Sequence, residues 1–229
     1  MNTLFQFIWF NIVKPFIKRK QGLGVELVDY HKRIIAQVKL ATFFGIQYII
    51  IGDSNGENLA TYSNMRQFGK GLKAVIANIA VGGTKADSWV DYFSTKEGQE
   101  VLDILPADVF VIFNIGGNHV IQKKMDLLPS AFKELKHIVR RESCNCLVPP
   151  VHYTVIKTLN KDAKKDVTKC NAYIKKVWPD RYIDVHTPFQ TKNDEPLFFI
   201  HEDAIHFNDE VDKVMRIPIM IKAIKAFVA

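Results

Sequence analysis

Cysteine is scarce in this chain of 229 residues, which holds only Cys144, Cys146 and Cys170. So small and odd a set excludes the disulfide framework of a small secreted domain. Cys144 and Cys146 fall two apart on one predicted strand, so they share a face and do not bond to each other there. Three such thiols offer too few closely spaced ligands for a metal centre. Buried, reduced cysteines are expected, with neither metal nor cofactor. Low-complexity stretches, internal repeats and Ser/Pro linkers are also missing, which leaves one globular domain. A hydrophobic content of 48% is ample for its core.

The N-terminus lacks the marks of a secretory leader. Residues 1–17 (MNTLFQFIWFNIVKPFI) are strongly apolar, but no positive charge precedes them and no small-residue cleavage site follows. Before Lys14 and Pro15 the run is too short to span a bilayer comfortably. Two readings stay open for the segment 1–22 that precedes a domain over 23–229. One is an interfacial membrane helix, with Trp9 and several Phe at the lipid boundary and Lys14, Lys18, Arg19 and Lys20 on headgroups. The other is a helix packed on its own domain or on a partner. A cytoplasmic protein without a cleavable signal is expected, peripheral at a membrane if residues 1–20 take the first role.

A concentrated basic motif is missing too, although the formal charge is +7 and the pI about 9.2. The densest run of lysines, from Lys161 to Lys176, is interleaved with Asp162 and Asp166 and reads as a solvated helix face. No zinc-finger, RRM-like or basic-zipper pattern accompanies the charge, so nucleic acid is not an expected partner. Attraction to an anionic membrane or an acidic glycan is a fair use for it. The oligomeric state is not legible.

What is present is an alternation of strands and helices. Gln47–Ile51 is a short β-rich run stopped by Gly52. Strand-like runs recur at Ala74–Ile79, Asp108–Asn114, Ser143–Val148 and Tyr182–Val185. Helical stretches lie near 25–41, 57–69, 86–104, 129–142 and 160–177. A closing helix is predicted over Val211–Val228, which Pro218 should kink or delay. Apolar strands alternating with helices imply a parallel sheet of about five strands covered on both faces. Ligands of such sheets sit at the carboxyl ends of the strands.

Polar residues fall at those ends. Gly52-Asp53-Ser54-Asn55 places a hydroxyl directly after a buried strand. Asn78–Thr84 carries Gly82-Gly83, where a backbone N–H can approach a ligand with no side chain in the way. Gly116-Gly117-Asn118-His119 holds a side-chain amide, a donor that needs no change of protonation, on a tight turn. His119 beside it reads as a supporting group. Asp203-Ala204-Ile205-His206-Phe207-Asn208 spaces an acid and an imidazole so that one can orient the other. Each piece alone is more often a turn or a helix cap.

Together and in this order, the four pieces resemble the four blocks of the SGNH (GDSL-like) hydrolases, over positions 52 to 208. The resemblance implies a flavodoxin-like, three-layer α/β/α fold and a metal-free serine esterase mechanism. It matches Ser54 to the nucleophile, Asp203 and His206 to the acid–base pair, and the Ser54 N–H, Gly83 and Asn118 to the oxyanion donors. Glu202 and Asp209 rival Asp203, and His201 rivals His206. Thr84 stands where the glycine block commonly continues with Asp, and His119 stands where the third block usually ends in Asp. The expected activity is removal of an acyl group, acetyl among the candidates, from a small-molecule, glycan or lipid ester. The alternative is an inactive module of the same fold that binds at a membrane or polyanion surface.

Overall fold

The computed structural model describes residues 1–14, 26–149, 160–189 and 206–229. Five strands form one parallel sheet: β1 (Ile46–Gly52), β2 (Val75–Asn78), β3 (Phe110–Asn114), β4 (Ser143–Cys146) and β5 (Tyr182–Ile183). Their order is β2-β1-β3-β4-β5, with every neighbouring pair parallel. The chain winds outward from β1 in both directions, so the crevice at the carboxyl end of β1 is the natural ligand site.

Side chains alternate across the sheet with a period of two, and both faces are apolar. Ile49, Ile51, Val75, Ala77, Val111 and Phe113 point into one core layer, while Ile50, Ile76, Ile112, Cys144, Cys146 and Ile183 point into the other. The first layer is closed by α2 (His31–Phe43), α5 (Ala86–Ser94), α6 (Lys96–Ile104), α8 (Leu128–Val139) and α9 (Ala163–Val177). The second is closed by α4 (Tyr62–Leu72) and the C-terminal helix α10 (Ile217–Val228). Two short helices, α3 (Ser54–Asn58) and α7 (Gly117–Ile121), start at the strand ends. The three-layer α/β/α sandwich is the expected fold.

Local chemistry explains where the elements depart from the sequence pattern. The stretch near 57–69 divides because Thr61 caps α4, its hydroxyl accepting from the Asn64 N–H at 3.2 Å. The stretch 86–104 divides at Thr95, which accepts from the Gly98 N–H at 3.1 Å. Pro218 sits in the first turn of α10, directly after a π-helical turn over Asp212–Arg216. The wider turn removes the clash between the proline ring and the preceding carbonyls. All three cysteines are free and buried.

The first helix, α1 (Asn2–Ile8, continued as a π-helical segment over Trp9–Val13), lies on the outer edge of β2. Two of its side-chain amides take the place of a sixth strand. The Ile76 N–H donates to Asn2 Oδ1 at 3.3 Å, and Gln6 Nε2 donates to the Ile76 carbonyl at 2.8 Å. A buried edge strand needs such partners, because an unpaired backbone group away from water is costly. Phe5 and Trp9 join the core beside them.

Candidate functional site

The end of β1 fixes the position of Ser54. Gly52 pairs with Asn114 across the sheet, and the Asp53 N–H donates to the Asn114 carbonyl at 3.1 Å. A Cβ on Gly52 would lie 2.3 Å from that carbonyl oxygen, so only glycine allows the two strand ends to converge. Asp53 then caps α3, its carboxylate accepting from the Asn55 N–H at 3.0 Å. Ser54 becomes the first residue of the helix, at the sheet's carboxyl rim.

His206 meets it there. Its Nε2 lies 2.6 Å from Ser54 Oγ, across 152 positions of sequence. With the imidazole proton on Nδ1, the hydroxyl donates to Nε2, which is the arrangement a general base requires. Asp203 lies outside the described residues, as do its rival Glu202 and the rival histidine His201. Asp209, the remaining rival acid, lines a polar cavity of about 260 Å³ with Trp9, Arg33, Glu57, Thr61 and Ala80.

The glycine block is stapled from several sides. Arg33 Nη2 donates to the Ala80 carbonyl at 2.7 Å, and Arg33 Nη1 donates to Glu57 Oε1 at 2.9 Å. Glu57 Oε2 in turn accepts from the Gly82 N–H at 2.8 Å. A Cβ on Gly82 would lie 2.9 Å from Glu57 Oε2 and 3.6 Å from Ser54 Cβ, so the loop passes close beside the serine. Gly83 follows with φ +80° and open space around it. Among the described residues nothing accepts from its N–H.

The third block reaches the same loop. Asn118 Nδ2 donates to the Thr84 carbonyl at 2.9 Å, which commits one proton of the amide and leaves the other free to donate elsewhere. Thr84, standing where an acid is common, directs its hydroxyl at the carbonyls of Gly52 and Val81. His119 is fully buried against Phe132, with Nε2 3.1 Å from Asp87 Oδ1 but poorly aligned for a hydrogen bond. Burial raises the Asp87 carboxyl, yet His119 and Lys85 outweigh it and hold the group below its ordinary value. His119 is thus a core side chain beside Asp87 and Phe132.

Electrostatics around the serine are set by buried charge. Burial pushes the Asp53 carboxyl up to about 6, against the Asn55 N–H and the charges of Arg216, His206 and His119. Arg216 is itself buried, paired with Asp212 at 3.0 Å, and its Nη2 donates to the Asn55 carbonyl at 2.8 Å. Its guanidinium also stacks over Phe207, next in sequence to His206. One cation therefore ties the Ser54 turn to the His206 loop.

Glu57, Arg33 and Arg216 escape a sequence reading. Glu57 alone carries a signal, since a residue three after Ser54 shares its side of a helical turn. No group of His, Cys, Asp and Glu among the described residues is placed to hold a metal.

No family model matches the chain, and no curated protein matches it by sequence. Solved structures do match in shape. A GDSL-like lipase from Bacteroides thetaiotaomicron aligns with a TM-score of 0.61 at 16% identity, covering 86% of this chain and 96% of that one. A lipase/acylhydrolase from Enterococcus faecalis aligns at 0.60 and 14%, covering 80% and 97%. A protein assigned provisionally as an SGNH hydrolase, from Slackia heliotrinireducens, aligns at 0.54 and 14%, covering 79% and 98%. The chain has the SGNH hydrolase fold.

Proposed function

We propose that the chain is a serine-dependent ester hydrolase that works through an acyl-enzyme. The observation that carries the reading is the 2.6 Å contact between Ser54 Oγ and His206 Nε2. A hydroxyl and an imidazole so placed, at the rim where such sheets bind ligands, form an activated nucleophile. Neighbours of the same fold named as lipases and acylhydrolases support the same chemistry.

In this mechanism His206 takes the Ser54 proton as Oγ attacks the ester carbonyl. Asp203 holds the imidazole in the productive tautomer and stabilises the imidazolium. The Ser54 and Gly83 N–H groups and the Asn118 amide receive the oxyanion. The Glu57 carboxylate supports this reading, because it occupies the Gly82 N–H and leaves that of Gly83 for the substrate. The C–O bond breaks, the alcohol leaves with the proton from His206, and water attacks the acyl-enzyme with His206 acting as base again. The acyl group, acetyl among the candidates, comes from a carbohydrate or lipid ester.

A fluorophosphonate probe tests the proposal. It should label the wild type and fail to label Ser54→Ala. p-Nitrophenyl acetate hydrolysis should be lost in Ser54→Ala and His206→Ala and survive in His201→Ala. An unlabelled wild type with no esterase activity would overturn the proposal and leave a binding module of this fold.

A further inference from the structure

The first helix is built inside out. On a helix that covers a core, apolar residues face in and polar residues face out. In α1 the amides Asn2 and Gln6 are turned inward to the edge of β2, together with Phe5 and Trp9. The outward stripe is Met1, Leu4, Phe7 and Ile12, at helical spacing. Leu4, Phe7 and Ile12 are 54%, 49% and 51% exposed. Phe43, at the end of α2, is 82% exposed and stacks edge-on against Phe44, which in turn meets Phe5. A chain of ring contacts through Phe44 and the buried Phe5 therefore links Phe43 to α1.

Cations stand at both ends of the stripe. Met1, Asn2 and Thr3 share a cavity wall with Lys70 and Lys73 at the start of the helix. Lys14 lies at its other end, over the Phe10 ring, with its ammonium donating to the Ala60 carbonyl at 3.4 Å. No acidic residue occurs before Glu26, whereas Lys14, Lys18, Arg19 and Lys20 all do. A second copy of the same stripe would bring Lys70 and Lys73 against their like. A flat apolar interior beneath an anionic surface satisfies both halves of the pattern.

We infer that the outward face of α1, with Phe43, is a docking surface for anionic membrane. Leu4, Phe7 and Ile12 enter the boundary between headgroups and acyl chains, with the helix lying in the plane of the surface. No helix among the described residues is long and apolar enough to cross a membrane. The inference stands apart from the esterase reading, because it concerns binding alone and its test uses no turnover.

Removing the whole segment would confuse the test, since α1 also completes the edge of the sheet. Point substitutions on the outward face avoid this. Full-length protein is sedimented with vesicles of pure phosphatidylcholine, or with about one-third phosphatidylglycerol added. The wild type should pellet with the anionic vesicles, less so in high salt, and poorly with the neutral ones. Leu4→Glu/Phe7→Glu should lower the partition coefficient by about tenfold or more with the melting temperature unchanged. If that variant misfolds, Phe43→Glu on the other helix carries the test, with a loss of about threefold or more expected. A wild type that ignores anionic vesicles, or folded variants that bind as it does, would overturn the inference. So would a wild-type dimer in solution that Leu4→Glu/Phe7→Glu dissociates, for then a second copy covers the stripe.

Discussion

The Asn118 side-chain amide donates to the Thr84 carbonyl at 2.9 Å, and this bond joins two strand ends that are 34 positions apart. It fixes the plane of the amide, and so the direction of its second N–H, before any substrate arrives. A donor held in place needs no reorganisation as charge develops. Asn118→Ala should therefore lower kcat for a p-nitrophenyl ester by about 100- to 1000-fold, the usual loss for one oxyanion donor. Asn118→Asp should do no better, because a carboxylate cannot donate. Wild-type rates in either variant would remove Asn118 from the site.

In the proposed mechanism Ser54 and His206 act as a unit, so their losses should not add. Either alanine variant should fall by about 10⁴-fold or more in kcat/KM, and the double variant should be no worse than the poorer single. Steady-state kinetics with tight limits on contaminating esterase measure this. Independent, multiplicative losses would mean that the 2.6 Å contact has no part in turnover.

Glu57 holds the glycine loop through the Gly82 N–H, and in the proposed mechanism it does not touch substrate. Glu57→Gln keeps the size of the side chain but supplies only one acceptor where Gly82 and Arg33 both donate. Its kcat should fall about 10- to 100-fold while KM changes little, since the misplaced N–H matters most in the transition state. An equal fall in stability and no change in kcat would reduce Glu57 to an ordinary structural ion pair.

Asp53 gives the site a pH-dependent strain. Its folded value of about 6 lies above the ordinary 3.8, so its contribution to stability is fully present below the lower value and is lost as pH rises through the upper one. Above about pH 7 the penalty should approach roughly 3 kcal/mol at most. Asp53→Asn keeps the acceptor for the Asn55 N–H and removes the charge. Its stability relative to wild type should rise from about pH 4 to about pH 6, then level off, in urea melts. A difference that stays flat with pH would show that Arg216 and the histidines already compensate the buried carboxylate.

Strands β1 to β3 were legible because each is an apolar run with glycine soon after it, as at Gln47–Gly52 and Phe110–Asn114. Their ends located Ser54, Gly83 and Asn118 for the same reason. The helix divisions were not legible. Apolar periodicity continues across Thr61 and Thr95, and only the tertiary setting makes those hydroxyls into caps. Arg216 is harder still, since Asp212 four residues earlier suggests an ordinary surface pair. Its burial depends on Asn55 and Phe207, which arrive from elsewhere in the chain. The network of Arg33, Glu57 and Gly82 likewise spans three separate elements. Spacing records contacts within one element and is silent about those between elements.

Sealing the rim of β2 with two carboxamides has a consequence for assembly. A bare parallel rim would invite a foreign strand to zip on, and growth from there has no natural end. Asn2 and Gln6 satisfy the N–H and the carbonyl of Ile76 and then hand over to a helix, whose own hydrogen bonds are already spent. Expression variants trimmed at the start of the chain would thus be prone to fibrous deposits, even where their folded core stays intact.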